Sequence, residues 1–237
     1  MSRRSWVSVA VALLVATRAR AAPTGLNVIP TTDLVPVRQL SVALQNGNTE
    51  VRGDSSVWHQ PQLVFQSEAG LPWNCEGGVD VAPSAPPGRY RPQFNLKWKP
   101  LAEAELWPAV AGLVSQLGPH FTTNYSLIAS KTLNFDAIEH QKFRAHRRNI
   151  KLRGIRLHAG IQRTFGNRWH ALVGSDLEVS DRLVLYADWT SGAASAVTLG
   201  GVFVIDRDDS AQLALFRGND QNRLSGVQLT LTHTFSW

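Results

Sequence analysis

The clearest pattern in the chain lies at its C-terminal end. Val227, Leu229, Leu231, His233, Phe235 and Trp237 occupy alternate positions, with Gln228, Thr230, Thr232, Thr234 and Ser236 between them. Successive strand side chains point to opposite sides, so the segment has one apolar and one uniformly polar face. A strand of about 9–11 residues is what a tilted bilayer crossing needs, and terminal aromatics suit a membrane interface.

The same alternation recurs upstream. Tyr90, Phe94, Leu96 and Trp98 alternate with Arg91, Gln93, Asn95, Lys97 and Lys99, with Pro92 interrupting the start. Ile155, Leu157, Ala159 and Ile161 alternate with Arg156, His158, Gly160 and Gln162. A hairpin follows: Ala171, Val173, Leu177 and Val179 run to Ser180-Asp181-Arg182, and Leu183, Leu185, Ala187 and Trp189 return. Gly174, Asp176, Glu178, Tyr186, Asp188 and Thr190 take its opposite face. A three-residue connection is within the hairpin range. Further strands are expected near 37–46, 61–68, 77–82, 107–117, 121–131, 194–205 and 210–217. This makes an all-β, antiparallel up-and-down transmembrane barrel of about twelve strands, or ten without the 77–82 segment between Gly77-Gly78 and the prolines at 83–87.

Charged residues alternating this regularly need a wet side, which in such a barrel is the lumen. Parity alone therefore nominates Arg91, Lys97, Lys99, Arg156, His158, Asp176, Glu178 and Asp188 as lumen-lining. Their balance is slightly cationic, so an open pore would favour anions. With both termini on the periplasmic side, the turns at 180–182 and 206–209 and the connection 132–150 fall there too. That connection is long for its side and carries His140, Lys142, Arg144, His146, Arg147 and Arg148. Such a run is either a solvated loop or a contact with anionic lipid; if the connection faces outward, one strand before it has been miscounted.

The start of the chain has the three parts of a secretory signal: Arg3 and Arg4, the apolar run 7–16, and small residues at Ala19 and Ala21. Cleavage after Ala21 is expected, giving a signal peptide at 1–21, an extension at 22–36 and a barrel at 37–237. Pro23, Pro30 and Pro36 bar a regular ladder from the extension, which either lies in the lumen or is disordered. The formal charge of +6 falls to +2 once Arg3, Arg4, Arg18 and Arg20 leave with the signal. Export together with that modest charge argues against a nucleic-acid partner. Cys75 is the single cysteine, expected in a loop, so no intrachain disulfide can form.

The run Leu229, Leu231, Phe235, Trp237 resembles the C-terminal signature of bacterial outer-membrane β-barrel proteins, in which the last residue is aromatic and alternate residues before it are hydrophobic. His233 departs from the pattern. The resemblance implies the bacterial outer membrane after export by the Sec pathway, recognition of the last strand by the barrel-assembly machinery, and contact with outer-membrane lipid and lipopolysaccharide. On function, three readings stand: a small pore or transporter, a non-conducting structural or adhesive surface barrel, and a soluble secreted β-sandwich. No hydrolase elbow, zinc-protease motif, phosphate loop or paired-cysteine metal site occurs, so no enzyme, metal site or cofactor is expected.

Overall fold

The computed structural model describes residues 26, 29–52, 57–84, 89–118, 123–133, 154–164, 168–192, 196–219 and 223–237. The expected signal at 1–21 and the basic residues 140–148 lie outside these. Twelve strands follow in chain order: β1 Gln39–Arg52, β2 Val57–Leu71, β3 Cys75–Ser84, β4 Arg89–Leu101, β5 Ala109–Leu117, β6 Asn124–Leu133, β7 Ile155–Thr164, β8 Arg168–Ser180, β9 Leu183–Thr190, β10 Ala196–Val204, β11 Asp209–Gly218 and β12 Arg223–Ser236. Each pairs antiparallel with its sequence neighbours, and β1 pairs with β12, so the sheet closes and has no edge. The count of twelve holds because 77–82 is part of a strand, with Val79 against Phe94 and Asp80 against Gln93. Cys75 is the first residue of that strand rather than a loop residue.

The alternation seen in sequence becomes the inside and outside of the wall. Leu44, Phe65, Phe94, Leu96, Leu127, Leu157, Val173, Leu199, Leu213 and Leu229 are exposed on the outer surface. Ser41, Ser126, Thr198, Ser210, Gln212, Thr230 and Thr232 are buried on the inner one. A β-sandwich buries its apolar faces against each other, whereas here they surround the sheet, which removes the sandwich reading. So wide an apolar belt in water would drive aggregation, and a hydrocarbon layer is the solvent that suits it. Tyr90, Tyr125 and Trp169 ring the belt near one end of the barrel, and Trp73, Trp107 and Trp237 near the end that carries the C-terminus. Two aromatic girdles of this kind mark the two interfaces of a bilayer. Among the described residues no helix is long and apolar enough to cross a membrane.

Local irregularities have local causes. The β4–β5 ladder shifts register between Phe94 and Leu96, and Gln116 sits at φ 59°. Its N–H donates instead to the Asn95 side-chain oxygen at 3.0 Å, so the bulge leaves no orphan there. At the hairpin, Ser180 pairs directly with Leu183, leaving a two-residue turn and placing the irregularity between Glu178 and Ser180. His233, the departure from the C-terminal pattern, lies 2.8 Å from the Asp209 carboxylate on β11, with its ring edge-on to Phe235. A polar group on the outer face is thus met at the rim rather than left in the apolar belt.

The extension does not continue the wall. Val37 makes one parallel bridge to Gly70, and Arg38 at φ 65° turns the chain from the interior into β1. A non-glycine residue in that region costs about 1–3 kcal/mol, so the surrounding bonds must hold it. Gln39 N–H donates to Pro36 O at 3.1 Å, and Trp237 N–H to Arg38 O at 3.2 Å. Gly70 is what admits the segment: a Cβ there would stand 2.0 Å from Pro36 O. From this entry the described residues of the extension run up the lumen, with Ile29, Thr31, Thr32 and Val35 buried.

Candidate functional site

The lumen is the candidate site, and it divides into two levels. At the level nearer the termini, the extension is bound to the wall by polar contacts. Arg156 Nη1 donates to both carboxylate oxygens of Asp33, at 2.7 and 2.6 Å, and Nη2 donates to Thr32 Oγ1 at 2.8 Å. Lys97 Nζ donates to Asp33 O at 3.0 Å and lies 3.4 Å from Glu76. Glu76 Oε2 accepts the Val35 N–H at 2.7 Å. Two wall cations and one wall anion therefore grip the irregular stretch from Thr32 to Val35, satisfying backbone groups that a ladder would otherwise serve.

Burial alone would raise the pKa of Asp33, but the Arg156 charge and hydrogen bond, with the Lys97 charge, outweigh it and hold the carboxyl below its ordinary range. Higher in the lumen the contacts become apolar. Ile29 packs with Ile128 and Leu172, and Leu26 bridges this cluster to Tyr186, Val202 and Ala214. Gly174 leaves the space, since a Cβ there would come within 2.7 Å of both Ile29 and Leu26.

Above that level lies a cavity of about 420 Å³, running from Leu26, Ile29 and Pro30 toward Gln116 and Asn124 at the other end of the barrel. Its lining is dominated by amides: Gln45, Gln66, Gln93, Gln116, Gln162, Gln212 and Gln228, with Asn95 and Asn124. Glu68, Glu76 and Asp80 supply its carboxylates and Lys97 its cation. Asn95 Nδ2 donates to Asp80 Oδ2 at 2.7 Å, Asn124 Nδ2 to Gln116 Oε1 at 3.1 Å, and Gln212 Nε2 to the Tyr186 hydroxyl at 2.7 Å. Asp80 Oδ1 and Gln93 Oε1 are buried and accept nothing. Each such orphan costs about 1–3 kcal/mol, more when charged.

Of the residues nominated by parity, Lys97, Arg156, His158, Asp176 and Asp188 stand on the inner face, and Arg91 and Lys99 share the inward parity of β4 but do not line the cavity. Glu178 lies beside the hairpin irregularity, half-buried. The structure brings Lys97 and Arg156 together through Asp33, and pairs Asp188 with Thr198. His158 lies between Ser130, 2.7 Å from Nδ1, and Asp176, 2.8 Å from Nε2. That is the hydrogen-bond order of a hydrolase triad. Ser130, however, is only 1% exposed and sits in a strand paired on both sides, so no substrate reaches its hydroxyl. The relay therefore reads as a fully satisfied polar bridge across β6, β7 and β8.

Parity counting missed Glu68, Glu76, Asp80 and Asp33. With them included, the lumen side of the described residues carries the carboxylates of Asp33, Glu68, Glu76, Asp80, Asp176 and Asp188 and the cations Arg91, Lys97, Lys99 and Arg156, with His158. The signal for Asp80 was present, since it alternates with Val79 and Val81; Glu76 precedes the expected start of its strand, and nothing in the sequence places Asp33 inside. Among the described residues no group of three His, Cys, Asp or Glu could hold a metal ion.

No protein-family model matches the chain, and no curated protein matches it in sequence. Solved structures do resemble it in fold. The KdgM porin in complex with disordered oligogalacturonate superposes with a TM-score of 0.53 at 7% identity, over 82% of this chain and 99% of that one. The outer membrane protein Omp33 of Acinetobacter baumannii gives 0.50 at 9% identity, over 84% and 98%. At these identities the likeness is one of architecture: the chain has the closed-barrel fold of outer-membrane porins.

Proposed function

We propose that the protein is a bacterial outer-membrane barrel that works as a narrow channel, with its own N-terminal segment folded into the lumen as a constriction. The observation that carries this reading is the polar cavity: the interior keeps about 420 Å³ of amide-lined space beside the segment instead of closing into a packed core. The apolar belt with its two aromatic girdles and the porin-like fold support the membrane setting. On this reading residues 1–21 direct Sec export and are removed. The last strand, ending at Trp237, is what the barrel-assembly machinery recognises, and the outer surface meets lipid and lipopolysaccharide.

On this reading the six described lumen carboxylates, set against Arg91, Lys97, Lys99 and Arg156, make the channel prefer cations, because fixed carboxylates raise the local cation concentration and oppose anion entry. Purified, detergent-folded protein placed in a planar bilayer under a salt gradient is expected to give small, frequently interrupted currents with a cation-selective reversal potential. Anion selectivity would contradict the charge assignment. A second reading, a sealed structural or adhesive barrel, is favoured by the density of bonds holding Thr32 to Val35. It predicts silence under every condition.

A further inference from the structure

Asp80 on β3 and Gln93 on β4 are register partners and both face the cavity. They are 8% and 6% exposed, and Asp80 Oδ1 and Gln93 Oε1 accept no hydrogen bond. None of the ion pairs among the described residues involves Asp80. Gln66, the β2 register partner of Asp80, also interacts with that carboxylate through its amide, and the other donors around the cavity are committed elsewhere. The Asn95 amide nitrogen serves Asp80 Oδ2, the Gln212 amide nitrogen serves Tyr186, and Lys97 reaches Asp33 and Glu76 at the level below. Glu68, opposite Gly78 on β2, adds a second carboxylate to the same wall. The cavity thus presents two adjacent unmet acceptors, one of them a buried carboxylate oxygen, in a locally acidic setting.

We propose that this cavity binds a small organic cation, a primary amine whose ammonium donates to Asp80 Oδ1 and Gln93 Oε1. The choice follows from the chemistry left unmet. A hydroxyl-bearing neutral solute would supply hydrogen bonds but leave the carboxylate uncompensated in a low-dielectric wall, whereas an ammonium supplies donors and charge together. An anion would meet Asp80 and Glu68. A cavity of about 420 Å³ is at the small end of ligand sites, which restricts the amine to a short chain. The proposal rests on the channel reading for solute access and names the class of solute that the channel takes.

The test is calorimetric titration of the full, detergent-folded chain with 1,4-diaminobutane, alongside erythritol and succinate as neutral and anionic probes. Saturable binding of the diamine alone is expected, weakened about tenfold or more by Asp80→Asn, as loss of a charged hydrogen bond would give. Gln93→Met should weaken it as well. Folding of each variant is checked by its gel mobility before and after boiling. No saturable binding, equal affinity in Asp80→Asn, or erythritol binding as tight as the diamine would each overturn the proposal. Binding in micelles is independent of conduction, so diamine binding without any bilayer current would sink the channel reading and leave the site standing. Current without binding would do the reverse.

Discussion

The two levels of the lumen treat the same kinds of side chain in opposite ways. Near the termini, Arg156, Lys97 and Glu76 are spent on the protein's own segment, and the Asp33 carboxylate receives a bidentate contact. In the cavity above, Asp80 and Gln93 are buried like Lys97 and Glu76 yet keep acceptor atoms with no donor. Ion-pair networks that close on themselves stabilise or latch; buried acceptors left open are an energetic cost that a ligand or water removes. On the proposed channel reading, the difference separates a structural and gating level from a solute-facing one within a single barrel.

The largest effect should come from the latch. In Arg156→Ala, Asp33 loses its bidentate partner and Thr32 its donor. Breaking a buried pair costs about 3–5 kcal/mol. The Asp33 side chain is 53% exposed and that of Arg156 18%, so solvent screening brings this to about 1–2 kcal/mol. An open population several-fold to about thirtyfold larger follows, read as open probability in single-channel records. An unchanged open probability would mean that the segment is held by Ile29 and Leu26 instead.

Acid should do the same more gently. Because the Asp33 carboxyl is held below its ordinary range by Arg156 and Lys97 against the opposing effect of burial, its contribution to the latch is complete above the ordinary carboxylate pKa. It is lost as pH falls through the lowered value, so opening should rise below about pH 4. Asp33→Asn should raise opening at neutral pH and flatten the acid response; an acid response unchanged by Asp33→Asn would contradict this assignment.

Changes in the upper level should move selectivity more than opening. Glu68→Gln with Asp80→Asn removes two carboxylates from the cavity wall and should shift the reversal potential toward anions by several millivolts under a tenfold salt gradient, with screening over about 10 Å at 0.1 M weakening the shift as salt rises. Equal reversal potentials in the variant and the parent would show that ions do not pass this wall.

Much of the barrel was legible because a strand with lipid outside and water inside must alternate, and the alternation survives in β4, β7, β8, β9 and β12 residue by residue. Glu178 to Ser180 blurred only at the hairpin irregularity, where one extra residue disturbs parity. Gly77 and Gly78 weakened the β3 signal since neither carries a side chain to show a face. The site was less legible. Whether Asp33 sits inside depends on Gly70 admitting the chain and Arg38 turning it, and neither leaves a periodic trace. Glu76 likewise fell outside the expected strand, and the prolines of the N-terminal segment showed only that it was not a strand.

The central claim is that the N-terminal segment constricts a conducting barrel, and the direct measurement is the bilayer conductance of protein lacking residues 22–36 beside that of the full mature chain. The account predicts that the deletion converts small, interrupted currents into larger, steady ones that remain cation-selective. Identical currents from the two proteins, or silence from both, would contradict it.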